Sequence, residues 1–303
     1  MNLSAAPIIH ARTSEVDFRS DLLVIPANFQ PQDVQWARKY ILGSTRYFEL
    51  AGKTGRNVIF SRKDVIVSGL SIRIRDLYQL CGKEPKYHLV DRNRTNYAFI
   101  GFVIPTECVT ESFDVPYSLY LDVFETYMDL RWNDSVNHPD SFVSTKAPYA
   151  PIDFPKAACV SAAIGQSGLR PWALDADADT LESICAQATM IALQNPGFGF
   201  CSDIPMANCV LESSFTVVTS KNARSINETI QKQLSSDLSQ SVPRSHPKKT
   251  NLPVSRNSSN KHQTRQGADS QKITFRNIAL GIIIAVCIIA IIILFALTKQ
   301  LPK

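Results

Sequence analysis

Residues 97–104, YAFIGFVI, carry the strongest local signal ahead of residue 220. The run has no charge and no side-chain amide, and it is rich in aromatic and β-branched residues. That reads as a strand, and apolarity on both faces places it inside a sheet covered on either side. Working outward, residues 117–132 put Leu121, Phe124, Tyr127 and Met128 on one side of a helix. Residues 179–194 form another, with Leu181, Ile184, Cys185, Ala188 and Ile191 on its core face. Its start, Asp179-Thr180-Leu181-Glu182, fits a capping box with Asp in place of Ser or Thr. Residues 32–42 predict a third helix, with Pro31 suited to the first turn and Gly43 to the C-terminal end.

Strands are expected at 21–26 (DLLVIP), 57–61, 64–68 and 211–219. Residues 70–81 read two ways. SIRIR at 71–75 alternates like a strand, whereas Ile74, Leu77, Tyr78 and Cys81 make a helical face, and a helix from about Ile72 is favoured. Helices interspersed with strands, without strict alternation, predict an α+β domain over residues 1–220, a mixed sheet with packed helices.

Charge divides the chain. The net charge is +5. Residues 51–96 hold ten basic and four acidic groups, and residues 97–220 hold four basic and fifteen acidic groups. Residues 221–277 hold eleven basic and three acidic groups. Within that last segment, residues 243–277 are rich in Ser, Asn and Lys and poor in apolar side chains. They predict a disordered basic linker, because too little apolar surface is available to offset the entropy of ordering. A coil of its length reaches roughly 30 Å, and its charges suit contact with anionic lipid. Residues 221–242 carry Ile226, Ile230, Leu234 and Leu238 at intervals of four, a short amphipathic helix. That stripe either packs on the domain or meets a partner or the lipid surface. Its spacing lacks the alternation of threes and fours of a coiled-coil seam.

Residues 278–297, IALGIIIAVCIIAIIILFAL, contain no charge, amide or proline. As a helix they cover about 30 Å, the thickness of bilayer hydrocarbon, so a single transmembrane helix is expected. A short translocated tail, 298–303, follows. The N-terminal run MNLSAAPIIHARTSE lacks a charged lead and a long apolar core, so no signal peptide is read there. With basic residues ahead of the anchor, the domain is expected on the cytoplasmic side of a bacterial inner membrane, or of the endoplasmic reticulum in a eukaryote.

Two stretches come near known chemical motifs and miss them on spacing. Gly52-Lys53-Thr54 invites a phosphate loop, but that loop needs glycine at position 47, which is Tyr. Asp175, Asp177 and Asp179 suggest a calcium loop, but its sixth and twelfth positions are Thr180 and Ala186 instead of Gly and Glu. The seven cysteines show no CxxC pair, and Cys287 lies inside the anchor. No catalytic residue, cofactor site or metal site is assigned.

The densest polar cluster precedes residue 97. Arg73, Arg75, Lys83, Lys86, His88, Asp91, Arg92 and Arg94 form a candidate basic face for a ligand or protein partner. Pairing of this face with the acidic 97–220 region is the competing expectation. The acidic balance of the rest argues against nucleic acid. The functional expectation is therefore a tail-anchored membrane protein whose cytosolic domain is a binding, adaptor or sensing module. It engages lipid through 278–297 and a protein partner of unknown identity. The alternatives are a membrane-tethered enzyme with its site near His88, Asp91, Arg92 and Arg94, and a fusion or remodelling factor acting through residues 225–242.

Overall fold

The computed structural model describes residues 1–13, 22–87, 89–90, 94–132, 143–157, 164, 171–176 and 178–241. The chain separates into two compact units, Met1–Pro243 and Arg244–Lys303. The second unit lies outside the described residues, and with it the 278–297 segment and nearly all of the basic stretch. Among the described residues no helix is long and apolar enough to cross a membrane.

The first unit is an α+β fold around a mixed ten-stranded sheet. Its centre is antiparallel. β3 (Arg56–Ser61) pairs with β4 (Val65–Arg73), β4 with β7 (Tyr97–Pro105), and β7 with β1 (Asn2–Ala11). On the far side of β1 lie the short β2 (Val24–Pro26) and, parallel to it, β8 (Thr145–Ala147). β9 (Ala150–Asp153) pairs with the first residues of β1. Beyond β3 the order is β11 (Gly199–Cys201), β12 (Val217–Thr219) and β10 (Trp172–Leu174). β11, β12 and β10 are mutually parallel, and β11 runs antiparallel to β3. β5 (Leu89–Val90) and β6 (Arg94–Thr95) make a separate two-stranded ribbon.

Period-two alternation assigns each strand's side chains to two cores. From β7, Ala98, Ile100, Phe102 and Ile104 enter the first. There they meet α2 (Ile74–Leu80), α3 (Tyr117–Arg131) and α4 (Ala178–Gln194) through Leu77, Phe124 and Ile184. Phe99 and Val103 enter the second, with α1 (Pro31–Ser44), α5 (Ala207–Leu211) and α6 (Ala223–Ser241) contributing Tyr40, Val210 and Ile226. Helices therefore cover both faces of β7, as its unbroken apolarity predicts. Where β4 and β7 cross the second face, Gly69 stands opposite Gly101. A Cβ at Gly69 would lie 2.3 Å from Phe99 Cζ, and one at Gly101 would lie 2.9 Å from it. The two glycines make the slot that the Phe99 ring fills.

Several expectations are corrected. β4 extends to Arg73, so α2 starts at Ile74 rather than Ile72. The ladder with β7 continues through Ile72–Ala98 and Arg73–Tyr97, and only then does Ile74 N–H donate to Asn96 O, at 3.0 Å, as the helix begins. The strand expected at 211–219 is the end of α5, a serine turn and the three-residue β12. Gly43 lies within α1, where a Cβ would meet Phe215 at 3.2 Å. α4 starts at Ala178, so Asp179 falls in its first turn rather than at the cap. β1 was not foreseen, because Pro7 sits in its interior. Of the two readings of the 221–242 stripe, the one that packs it on the domain is observed: Ile226 and Ile230 of α6 are buried, and Leu234 packs against the same core.

Candidate functional site

Of the basic residues expected to form one face, Arg73, Lys83 and Lys86 are paired with acidic side chains. Arg73 caps α2, pairs with Asp76 at 3.3 Å and donates to the carbonyls of Phe48 and Glu49 at 3.4 and 2.9 Å. Arg75 is exposed on α2. Lys83 and Lys86 turn to the acidic side of α3. Lys83 lies 3.3 Å from Asp122 and 3.8 Å from Glu125, and Lys86 lies 2.6 Å from Asp129. The Tyr78 hydroxyl donates to Glu125 at 2.8 Å, and the Tyr87 hydroxyl donates to Asp129. Burial first, and then Glu125, push the Tyr78 phenol far above its ordinary range. Arg94 is in β6. His88, Asp91 and Arg92 lie outside the described residues.

A second site is a cleft of about 600 Å³ at one end of the sheet. β10, β12 and β11 are parallel, so their carboxyl ends lie on one side, and the residues that follow them (Ala176, Ser220 and Asp203) line the cleft. The carboxyl ends of parallel strands leave such crevices in open sheets. The floor is the start of β3 at Asn57, and the walls are the approach to α3 (Phe113, Asp114, Tyr117) and the first turns of α4 (Leu181, Glu182, Cys185).

The 52–55 turn closes one side and can be built only with glycine at position 55. Gly55 has φ +75, and a Cβ there would lie 2.5 Å from Ser71 O. Opposite, Asp203 adopts φ 54, a left-handed conformation that Asp tolerates better than most residues. It is tied on three sides. Its Oδ2 accepts from Gly52 N–H at 2.7 Å, its N–H donates to Thr219 Oγ1 at 3.0 Å, and its carbonyl accepts from Arg56 Nε–H at 3.1 Å. Arg56 is wholly buried. It also donates to the carbonyls of Ser44 (2.7 Å), Arg46 (2.6 Å) and Tyr47 (3.1 Å), and its guanidinium lies 5.2 Å from the Phe48 ring centroid. One side chain thus satisfies four main-chain carbonyls and fixes the backbone behind the cleft.

The cleft is acidic and aromatic. Asp114 and Glu182 are exposed, Asp203 is half-buried, and Lys221 is the one basic side chain among the described lining residues. The Tyr117 hydroxyl donates to Thr54 O at 3.4 Å across the mouth. Burial first, then Asp114 and Cys185, raise the Tyr117 phenol. Burial first, then Asp114, Cys201 and Glu182, push the Cys185 thiol far up, which leaves it protonated and weakly nucleophilic at neutral pH. Among the described residues no group of three or more His, Cys, Asp or Glu is arranged to hold a metal ion.

Sequence reasoning passed over this cleft although it had touched both of its edges. The 52–54 tripeptide and the 175–179 acidic run were weighed as separate motifs, 120 residues apart, and each failed its own template. The fold brings Gly52, Thr54, Ala176 and Glu182 around one cavity. No protein-family model matches the chain, and no curated protein or solved structure shows significant similarity to it.

Proposed function

We propose that this chain is a single-pass, tail-anchored membrane protein whose N-terminal domain is a cytosolic binding, adaptor or sensing module. The observation that carries the reading is residues 278–297, twenty uncharged apolar residues preceded by a basic, Ser/Asn-rich stretch. An apolar helix of that length is stable in hydrocarbon, where each backbone group finds its partner within the segment. The basic stretch favours retention of the domain on the cytoplasmic side and contact with anionic headgroups. As a leash of roughly 30 Å it lets the domain search the nearby surface for a partner.

The domain itself supports a binding role over a remodelling one. A fusion or remodelling segment at 225–242 needs a free apolar stripe, and Ile226 and Ile230 are already committed to the domain's core. The enzyme alternative keeps the cleft as its one structural argument, but the described lining offers a protonated thiol and no histidine.

Fractionation tests the reading. The full chain should pellet with membranes and resist carbonate extraction, whereas a chain ending at residue 243, or one carrying Ile288→Lys and Ile292→Lys, should be soluble. A full chain that carbonate releases would sink the proposal.

A further inference from the structure

We propose that the cleft between α3 and α4 binds a small organic cation bearing amine or guanidinium groups. The assignment does not depend on the membrane anchor. The cavity, at about 600 Å³, lies in the size range of small-molecule sites. It sits where parallel strands end and is bounded by a backbone held rigid by Arg56, so the site is pre-formed.

Charge decides the ligand class. Among the described lining residues, Asp114, Glu182 and Asp203 bring three carboxylates to the cavity and Lys221 returns one positive charge. The N-termini of α3 and α4 add about half a positive charge each, which leaves the carboxylates in excess. The balance favours a cation over a phosphate. Among the described residues neither Asp114 nor Glu182 has an ion-pair partner, although other surface acids of the domain, Asp122, Asp129 and Glu212, do. Asp203 keeps its second carboxylate oxygen for a ligand, because the bond from Gly52 N–H uses Oδ2 alone.

Shape decides between an organic cation and a metal ion. The acids come from three separate elements: the approach to α3, the body of α4 and the turn after β11. They stand around the cavity instead of converging on one point, as oxygen ligands must at about 2.0–2.6 Å from Mg²⁺ or Ca²⁺. Tyr117 and Tyr120 add aromatic rings to the lining, a residue type whose π-systems attract ammonium and guanidinium groups.

Agmatine, which carries an amine and a guanidinium, and spermidine are the probes. Titration calorimetry is run on the full chain in neutral detergent at low salt, with inorganic phosphate and MgCl₂ as parallel ligands. Expected is saturable binding of at least one organic cation, weakened roughly tenfold or more by Asp114→Asn with Glu182→Gln and strengthened by Lys221→Gln. Asp114 and Glu182 are exposed, so the double variant should keep the parent melting temperature, which is checked alongside. The proposal is overturned if neither cation binds, if binding is indifferent to the double substitution, or if phosphate or Mg²⁺ binds in a way that the same substitutions alter.

Discussion

The Arg56 Nε–H and the Asp203 carbonyl meet at 3.1 Å, which joins the first residue of a central strand to the left-handed corner of the cleft. Replacing Arg56 with Leu removes the shared donor of four main-chain carbonyls, buried at Ser44 and part-buried at Arg46, Tyr47 and Asp203. A loss of about 3–5 kcal/mol in unfolding free energy is expected, from hydrogen bonds to a charged group at about 1.5–3 kcal/mol each that water replaces in part at the half-buried carbonyls. Arg56→Lys should recover only part of it, since an ammonium cannot span four acceptors as a planar fork does. Urea unfolding of the three proteins measures this, and equal midpoints would refute it.

Phe99 and the Gly69–Gly101 pair should behave as one unit. Gly69→Ala puts a methyl 2.3 Å from Phe99 Cζ, an overpacking expected to cost about 1–3 kcal/mol. Phe99→Leu costs packing by itself, but combined with Gly69→Ala it should cost less than the sum of the two. A double-mutant cycle reads the coupling, and strict additivity would show that the slot is not shared.

Asp33 gives the domain a pH-dependent contribution. Burial by itself would raise its carboxyl, but bonds from Arg62 and Gln30 N–H and the Arg62 charge outweigh this and hold it below the ordinary 3.8. A depressed folded-state pKa means stability that is full above about pH 4 and lost as pH falls through the folded value. Asp33→Asn should therefore destabilise at pH 7, with the gap to the parent closing as pH falls below 3.8. Melting temperatures of both proteins across pH 2–8 decide it, and a constant gap would rule the pairing out.

The end of the folded unit is measurable. Ile226 and Ile230 are 3% and 2% exposed, so a chain stopped at residue 220 loses core, whereas one stopped at 243 does not. Ile230→Ala should cost about 2–4 kcal/mol. Limited proteolysis and thermal melts of the 220 and 243 truncations are the check. A cooperative melt of the shorter one at the same temperature would contradict the assignment of α6 to the core.

Cys201 should be inert until the domain opens. It is wholly buried, and burial first, with Asp203 and Cys209 adding to it and Arg56 opposing, leaves its thiol pushed up to about 12. Iodoacetamide at pH 8 should modify Cys108, which is half-buried, well before Cys201. Peptide mass spectrometry of a time course gives the order, and early loss of Cys201 would overturn it.

What could be read from the sequence were elements whose own side chains state their periodicity. β7, α3 and α4 were legible because long runs carry the signal, and the helix at 223–241 because its stripe repeats four times. β1 was not, since Pro7 masks a strand whose partners lie at 98–103 and 150–153. β8, β10 and β11 are three residues each and form only because neighbours pair with them. The cleft was invisible for the same reason: its walls come from six separate stretches, none of which carries a ligand template alone. For the basic face the sequence left two readings open, and the described lysines follow the second: Lys83 and Lys86 pair with acids of α3.

The sheet order also sets a timetable for synthesis. β1, β3, β4 and β7 have all emerged by residue 105 and can assemble then, but both borders of that quartet wait. Asn2 pairs with Asp153 and Phe60 with Gly199, so at roughly 5–20 residues per second these borders stay open for something like 8–30 seconds on the ribosome. They are the flanks of the most apolar strands in the chain, and open edges of that kind invite pairing with a neighbouring nascent chain. Folding yield in vivo should thus respond to translation speed and chaperone supply more than the stability of the finished domain suggests.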